Sequence, residues 1–343
     1  IQGEVISFAS EIPDSCKFSY VTFPPHTACI INPKNIRMEA VFPITSAYAS
    51  KYIPLVNNKK CISVCSGGLD SSLSAFIMAK MLGYDTTVVN FNLGQRGWES
   101  ERDASTIVAK KLGAGYIHLD LREFFKHEVA TPLTSYDLEV TLGEKSAEAG
   151  TEWVPARNLQ LIAVATGLAE SIGAKYLVAG TNLEEECSAY ADNDVSFIKS
   201  LSLAMQHGTL QGIQMRPVVN RLMKKDIVTL GTALDVPFES TMSCYDPVPL
   251  EKLPAEKRKL VKEAGLHHAP CGICGCCETR VHAFLAARIR DPQEKMYAND
   301  PKPYAFKTYE YYQQEIQKNG YIDTSDPRWI DSVIKQYMPR VDI

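Results

Sequence analysis

Apolar runs typical of buried strands alternate with stretches of helical periodicity from residue 60 onward. Residues 61–65 are apolar and end in a Ser-Gly-Gly turn, which predicts a buried strand. Residues 71–82 repeat apolar side chains at helical spacing, and Gly83 follows as a stop signal. The same alternation predicts strands at 86–91, 116–119 and 176–179 and helices at 104–112, 158–172 and 225–234.

This order of elements predicts the fold class. Strands that alternate with helices form a parallel, doubly wound sheet with helices on both faces, so we expect an α/β domain over residues 58–240. Ligands of such sheets bind beyond the carboxyl ends of the strands. Around this domain we expect a β-rich N-terminal extension (1–57), a cysteine-bearing subdomain (241–290) and an aromatic-rich, helical tail (291–343).

The bulk composition is that of an ordinary folded protein, with 343 residues, 45% hydrophobic and 22% charged. The net charge of −4 gives no broad attraction to nucleic acid, so direct nucleic-acid binding is not expected. No stretch reaches the ~20 apolar residues of a membrane helix and no secretory signal begins the chain, which predicts a cytoplasmic protein without membrane contact. Because the chain starts at Ile1 rather than Met, we also expect a missing N-terminal segment.

The segment 66–72, with the sequence SGGLDSS, joins the strand at 61–65 to the helix that follows. Two glycines let backbone N–H groups approach an anion, and the helix adds the positive end of its dipole. The serine hydroxyls supply further donors. Asp70 would repel a phosphate unless it binds magnesium or caps the helix. The alternative is an ordinary Gly-rich turn, and the segment matches neither the Walker nor the dinucleotide-binding pattern.

Four cysteines crowd into seven residues, and a fifth, Cys244, lies upstream. Cys271, Cys274 and Cys277 recur at every third position, so with Cys244 they supply the four thiolates of a closed zinc site. An iron–sulfur cluster has similar spacing and is the less favoured alternative. Cys276 is a spare thiol that leaves the ligand set open. Because four protein ligands fill a tetrahedral site, the zinc is expected to be structural.

Ser-Gly-Gly-x-Asp-Ser after a strand resembles the loop of PP-loop ATP pyrophosphatases, and the remaining motifs are similar to those of 7-cyano-7-deazaguanine synthases. The resemblance follows the family's motif order over about residues 60–290. Its motifs are Gly94-Gln95-Arg96, Val154-Pro155-Ala156-Arg157-Asn158, Gly180-Thr181-Asn182, Ser188-Ala189-Tyr190-Ala191-Asp192, Lys224, Ser243-Cys244-Tyr245 and the cysteine run that ends at Arg280.

The resemblance implies ATP, Mg²⁺ and Zn²⁺ as cofactors and assigns roles to single residues. The catalytic residues that it implies are Asp70, Lys224 and Arg157. The nucleotide grip that it implies consists of Ser66, Gly67, Gly68, Leu69, Asp70, Ser71, Ser72, Gly180, Asn182 and Lys224. The substrate contacts that it implies are Gln95, Arg96, Asn158, Tyr190 and Asp192, and its zinc ligands are Cys244, Cys271, Cys274 and Cys277.

The reaction that the resemblance implies is the ATP-dependent conversion of 7-carboxy-7-deazaguanine and ammonia into 7-cyano-7-deazaguanine, as in the queuosine pathway. Adenylation makes the carboxylate oxygen a leaving group for ammonia, and a second adenylation removes the amide oxygen. Cations are needed where charge develops on the transferred groups. Relatives of this family are often dimers, so the resemblance leaves a homodimer open.

Several positions depart from the family pattern, and three alternatives stay open. Gly97 stands where the family has His, and Ala156, Ala189 and Ala191 stand where it has Gly, Gly and Pro. These changes raise the hypothesis of a related enzyme that adenylates another carboxylate, such as a peptide or protein terminus. A zinc-ribbon nucleic-acid-binding protein is the rival from another class. Residues 1–57 faintly resemble the end of a class II glutamine amidotransferase domain, which suggests such a domain or partner as an ammonia source.

Overall fold

The computed structural model describes residues 27–32, 37–43, 56–141, 152–183, 191–301 and 308–341. Its strands are β1 (Thr27–Asn32), β2 (Arg37–Pro43), β3 (Asn57–Val64), β4 (Asp85–Asn92), β5 (Gly115–Asp120), β6 (Ala174–Val178), β7 (Gln214–Met215), β8 (Val248–Pro249) and β9 (His268–Ala269). Its α-helices are α1 (Leu69–Phe76), α2 (Trp98–Leu112), α3 (Arg122–Phe125), α4 (Arg157–Ile172), α5 (Val195–Gly208), α6 (Lys224–Ala233), α7 (Ala255–Glu263), α8 (Gly275–Ala287), α9 (Thr308–Asn319) and α10 (Pro327–Val341).

Five parallel strands form the central sheet in the order β5-β4-β3-β6-β7. The chain winds outward from β3 to β5 on one side, and then returns to place β6 on the other side of β3. This arrangement confirms the predicted doubly wound α/β sheet. The reversal of strand order makes the carboxyl ends of β3 and β6 the switch point, where a ligand crevice is expected.

Both faces of the sheet are covered by helices. Neighbouring residues of β3 point to opposite faces, so Cys61 lies in the core on one side and Ile62 in the core on the other. The Cys61 face packs against α1, α6, α8 and α10, and the Ile62 face packs against α4 and α5. Because helices cover both faces of the sheet, β3 and β4 are almost continuously buried toward their carboxyl ends.

The first two helices of the sheet domain differ in detail from the sequence expectation. Helix α1 starts at Leu69 and passes into a π-helical turn over Ile77–Met81, where the amide of Leu82 donates to the carbonyl of Ile77 at 3.0 Å. Helix α2 starts at Trp98, six residues before the periodic stretch that predicted it. Its polar first turn carries no apolar stripe, so periodicity alone could not reveal it.

The C-terminal residues include two helices, α9 and α10, and the second packs on the sheet domain. Val333, Tyr337 and Val341 of α10 join the core beside α6. The Tyr337 hydroxyl donates to Asp226 at 2.7 Å, and Asp226 in turn accepts from the amide of Met223 at the start of α6. The tail therefore braces the helix that begins with Lys224.

The described part of the N-terminal extension is a pair of antiparallel strands, β1 and β2. The suggested amidotransferase remnant otherwise lies outside the described residues and stays a prediction. Among the described residues, every helix is too short or too polar to cross a lipid bilayer.

Candidate functional site

The phosphate loop, defined as residues 66–72, follows β3 directly at the switch point of the sheet. Gly67 adopts φ +82, a left-handed conformation that favours glycine. A Cβ added there would lie 2.5 Å from the Cβ of Ala104, so the loop also needs glycine to fit against α2. From the end of β6, Gly180 closes the other side, where an added Cβ would lie 2.7 Å from the amide nitrogen of Ser71. Two strand ends thus meet at one tight turn.

The N-cap residue of α1 makes no side-chain cap. Gly68 is the N-cap residue in an extended conformation, and it has no side chain to offer the first-turn amides. Ser66 and Ser71 lie hydroxyl to hydroxyl at 3.2 Å within the same turn. The buried Thr181 hydroxyl beyond β6 has no hydrogen-bond partner among the described residues. Uncapped amides, grouped hydroxyls and an unpartnered buried hydroxyl are a donor set that fits a polyphosphate.

Asp70 and Lys224 form an ion pair across the site, although 154 residues separate them in sequence. The Lys224 Nζ donates to Asp70 Oδ2 at 2.6 Å, and both side chains are largely buried. Asp70 lies in the first turn of α1 and not at its N-cap, and its carboxylate accepts from Lys224 instead. The ion pair thus places the predicted catalytic cation of Lys224 beside Asp70 of the phosphate loop.

A segment from outside the sheet, residues 242–243, makes hydrogen bonds to the phosphate loop. The amide of Met242 donates to the carbonyl of Gly67 at 2.8 Å, and the Ser243 hydroxyl accepts from the amide of Leu69 at 3.4 Å. The next residue in sequence is Cys244. The phosphate loop and the cysteine cluster are therefore joined by a single short stretch of backbone, and no local pattern in the sequence predicts this contact.

The cysteine cluster brings together Cys244, Cys271, Cys274 and Cys277, all buried, with their sulfur atoms within 4.8 Å of one another. The Sγ atoms of Cys271 and Cys277 are 4.0 Å apart, and those of Cys244 and Cys274 are 3.9 Å apart. A zinc tetrahedron with Zn–S bonds of about 2.3 Å has sulfur–sulfur edges of about 3.8 Å. The donor set and its spacing therefore fit zinc.

The electrostatics of the cluster also suit a thiolate site. The pKa of Cys271 lies far below its ordinary value because the neighbouring thiols hydrogen-bond to its sulfur. The amide of Cys271 donates to the sulfur of Cys244 at 3.1 Å, and the amide of Ile273 donates to the sulfur of Cys271 at 3.4 Å. Cys276, the spare thiol, is half-buried and lies outside the group of four.

The two histidines near the cluster have other contacts. His267 pairs with Asp103 at 2.6 Å, and His268 lies 3.7 Å from Glu99. Both acids belong to α2, so the histidines join the cysteine-bearing region to the sheet domain.

Arg280, three residues beyond Cys277, is almost completely buried. Its guanidinium donates to Asp291 at 2.9 Å, to the Thr241 hydroxyl at 2.7 Å and to the carbonyl of Phe238 at 2.8 Å. The Tyr297 hydroxyl donates to the same Asp291 at 2.7 Å. We call these residues the Arg280 network. It fixes residues 238–241, which lead directly into the segment beneath the phosphate loop.

The predicted substrate residues fall into two groups. Asn158 and Asp192 lie together at the start of α4, where the Asn158 amide donates to the Asp192 carboxylate at 3.0 Å. Arg96 pairs with Asp246 at 3.2 Å and donates to the carbonyl of Ser135, so its contacts are with the surrounding chain. Tyr190 lies outside the described residues.

Gln95 leads to a residue that the sequence did not single out. Its side-chain amide donates to Glu101 Oε2 at 2.9 Å. Burial raises the pKa of Glu101 to about 7, although the Gln95 hydrogen bond and the charge of Arg157 act to lower it. Arg157 itself donates no side-chain hydrogen bond to the described residues, so its charge is available at the start of α4. The only sequence signal for Glu101 is its place one turn before Ala104 on α2.

Comparison with known proteins gives a consistent result. Residues 60–288 match the family model described as queuosine biosynthesis protein QueC. The chain is 32% identical over 250 residues to the 7-cyano-7-deazaguanine synthase of Sulfolobus acidocaldarius, covering 71% of this chain and 50% of that protein. It is 34% identical over 241 residues to 7-cyano-7-deazaguanine synthase 2 of Sulfurisphaera tokodaii, covering 69% of this chain and 48% of that protein.

A third relative has a different length. The 7-cyano-7-deazaguanine synthase of Methanobrevibacter smithii is 31% identical over 245 residues, and the match covers 69% of this chain and 97% of that protein. The chain thus spans about half the length of the first two relatives and nearly all of the third. The resemblance predicted from the motifs is confirmed.

Proposed function

The chain belongs to the QueC family, and from this membership we propose that it uses ATP to convert 7-carboxy-7-deazaguanine and ammonia into 7-cyano-7-deazaguanine. The observation that carries the proposal is the phosphate loop at the switch point of the sheet. Its uncapped helix start and its Gly67 turn suit the diphosphate end of ATP. The Lys224–Asp70 pair adds the charges that such a site needs.

The proposed chemistry replaces two carbon–oxygen bonds. The substrate carboxylate attacks the α-phosphorus of ATP, pyrophosphate leaves, and an acyl-adenylate forms. Ammonia then displaces AMP to give the amide. The amide oxygen is adenylated in the same way, and loss of AMP and a proton yields the nitrile.

The roles proposed for the loop residues follow from their positions. The hydroxyls of Ser66, Ser71 and Ser72 and the amides around Gly67 and Gly68 would hold the pyrophosphate, with Gly180 keeping the second wall close. Lys224 and Arg157 would stabilise the negative charge that develops on the transferred groups. A magnesium ion at Asp70 would share that carboxylate with Lys224 and supply further positive charge.

The substrate would bind at the start of α4. Asp192, held there by Asn158, would accept hydrogen bonds from the deazaguanine ring. The zinc at the four cysteines would act as a structural crosslink, because four protein ligands leave no open coordination position. Its proposed effect on catalysis runs through Met242 and Ser243, which support the phosphate loop.

The test is to incubate the purified protein with 7-carboxy-7-deazaguanine, ATP, Mg²⁺ and ammonium. Mass spectrometry should detect the nitrile, and chromatography should detect one AMP for each activation step. We expect Asp70→Ala to lower AMP release by about 10²–10³-fold through lost charge stabilisation. Asp331→Ala, which removes an exposed acid on α10, should leave the rate unchanged. Wild-type protein that releases no AMP with any carboxylate would contradict the proposal.

One feature favours a second candidate, a related enzyme that adenylates another carboxylate such as a peptide or protein terminus. A Cβ added at Gly97, where the family has His, would lie 3.3 Å from the carbonyl of Cys244. A side chain at this position would thus require the neighbouring backbone to shift by a few tenths of an ångström. AMP release with a peptide carboxylate but not with the deazaguanine acid would favour this candidate. The ammonia source, a homodimer and a cytoplasmic location remain parts of the proposal.

A further inference from the structure

Glu101 lies on the face of α2 that contacts the phosphate loop. Ala104 and Ser105, the next residues on that face, are the ones that approach Gly67. Burial raises the pKa of the Cys65 thiol, which directly follows β3, and the charge of Glu101 adds to that effect, while Arg157 at the start of α4 acts on Glu101. The carboxylate is therefore within electrostatic reach of both the phosphate loop and the start of α4.

The Glu101 carboxylate is held from one side. Gln95 donates to Oε2, and Gln95 is itself fixed because it also donates to the carbonyl of Phe91 at 3.1 Å and accepts from the amide of Leu93 at 2.7 Å. The other oxygen, Oε1, accepts no hydrogen bond from the described residues. A clamped carboxylate with one oxygen available is the arrangement expected of a group that receives a proton.

Two neighbouring groups act on the charge of Glu101. Burial raises the pKa of Glu101 to about 7, against the lowering effects of the Gln95 hydrogen bond and of the positive charge of Arg157 from α4. Such a carboxyl is able both to accept and to release a proton near neutral pH.

We propose that Glu101 accepts the proton lost by the ammonia nitrogen when that nitrogen attacks the activated acyl carbon. This inference rests on the proposed function. As the C–N bond forms, the C–O bond to AMP breaks and its electron pair leaves on the AMP oxygen. Oε1 takes the proton from nitrogen, and the resulting carboxylic acid later releases it to water.

The experiment separates activation of the acid from attack by ammonia. ATP–pyrophosphate exchange with 7-carboxy-7-deazaguanine reports activation alone, and rapid-quench formation of the amide reports the ammonia step. We expect Glu101→Gln to lower the ammonia step by about 10²–10⁴-fold and to leave the exchange at its wild-type rate. Glu101→Asp should restore part of the rate. Glu99→Gln, on the exposed face of the same helix, is the matched control and should change neither rate.

The pH profile gives a second readout. The ratio of wild-type to Glu101→Gln rates for the ammonia step should fall as the pH drops below about 7, since protonated Glu101 cannot accept a proton. An equal loss of both steps, or an intact ammonia step in a folded Glu101→Gln variant, would overturn the inference alone. Wild-type protein without exchange activity would reject the proposed function and this inference together.

Discussion

The Arg280 network and the phosphate loop are connected through residues 241–243, yet they differ in how far their buried polar groups are paired by hydrogen bonds. In the Arg280 network the guanidinium, the Asp291 carboxylate and the Tyr297 hydroxyl satisfy one another in the interior. At the phosphate loop, the N-cap residue of α1 has no side chain to cap the helix, and the Thr181 hydroxyl has no partner in the described part of the chain. The Arg280 network pairs its own polar groups, whereas the phosphate loop leaves a buried hydroxyl unpaired.

This difference separates residues that hold the structure from residues that meet a ligand. Buried polar groups are normally paired, because an unpaired one costs about 1–3 kcal/mol. A region that leaves donors unpaired therefore needs support from a neighbour that does not. Here the support comes through Met242 and Ser243, which connect the Arg280 network to the phosphate loop.

The largest expected effect comes from removing one predicted zinc ligand of the cysteine cluster. Cys271→Ser removes one of four buried ligands, and structural zinc sites contribute on the order of 10 kcal/mol to folding. We expect the variant to lose its zinc and to melt far below the wild type. Metal analysis and thermal denaturation measure both effects. Cys276→Ser, outside the ligand group, should retain zinc, and equal behaviour of the two variants would contradict the assigned ligand set.

A smaller effect is expected when the Arg280 network is broken. Arg280→Met leaves Asp291 buried without its cation, which should destabilise the protein by about 3–5 kcal/mol. Arg290→Met removes an exposed pair with Glu294 at 3.6 Å and should cost less than about 1 kcal/mol. Chemical denaturation compares them, and similar losses would show that the network is not the distinguishing feature.

At Glu101, on the helix that contacts the phosphate loop, we expect the stability of the protein to depend on pH. Glu101 has a pKa of about 7 in the folded protein against an ordinary value of 4.5, so the folded state binds its proton more tightly than the unfolded state. The contribution of Glu101 to stability is therefore fully present below about pH 4.5 and is lost as the pH rises through about 7, by at most about 3 kcal/mol.

Glu101→Gln should remove this pH-dependent loss and be more stable than the wild type at pH 8. Denaturation curves at pH 5 and pH 8 test the difference, with Glu99→Gln as the control. A stability difference that does not change with pH would rule out the ionisation of Glu101 as its cause.

The smallest effect concerns the backbone at the start of α4. Ala156 adopts φ +48, which costs a residue with a Cβ roughly 1 kcal/mol. We expect Ala156→Gly to stabilise the protein by up to that amount. Ala163→Gly, at an exposed position inside the same helix, should destabilise it by about 1 kcal/mol. Thermal melts of both variants check the opposite signs.

The sequence predicted what depends on local pattern. Apolar runs predicted the strands, and Gly83 marked where the helical stretch over residues 71–82 stops. The cysteine spacing gave the ligand set that the structure brings together. The start of α2 was missed because its first turn is polar.

Other features depend on contacts between distant parts of the chain. The Lys224–Asp70 pair and the hydrogen bond from Met242 to Gly67 each join residues more than 150 positions apart. No local periodicity records such a contact. The environment of Glu101 is of the same kind, because its raised pKa comes from burial by elements that the sequence alone does not bring together.

The short distance in sequence between Met242 and Cys244 also limits how the gene can vary. The amide of Met242 donates to the phosphate loop, and Cys244, two positions later, lies in the cysteine cluster, so the chain between them is too short to take up an extra residue. An inserted residue would have to release either the hydrogen bond to Gly67 or the thiolate. We expect this stretch to tolerate substitution but not a change of length, in contrast to ordinary surface connections.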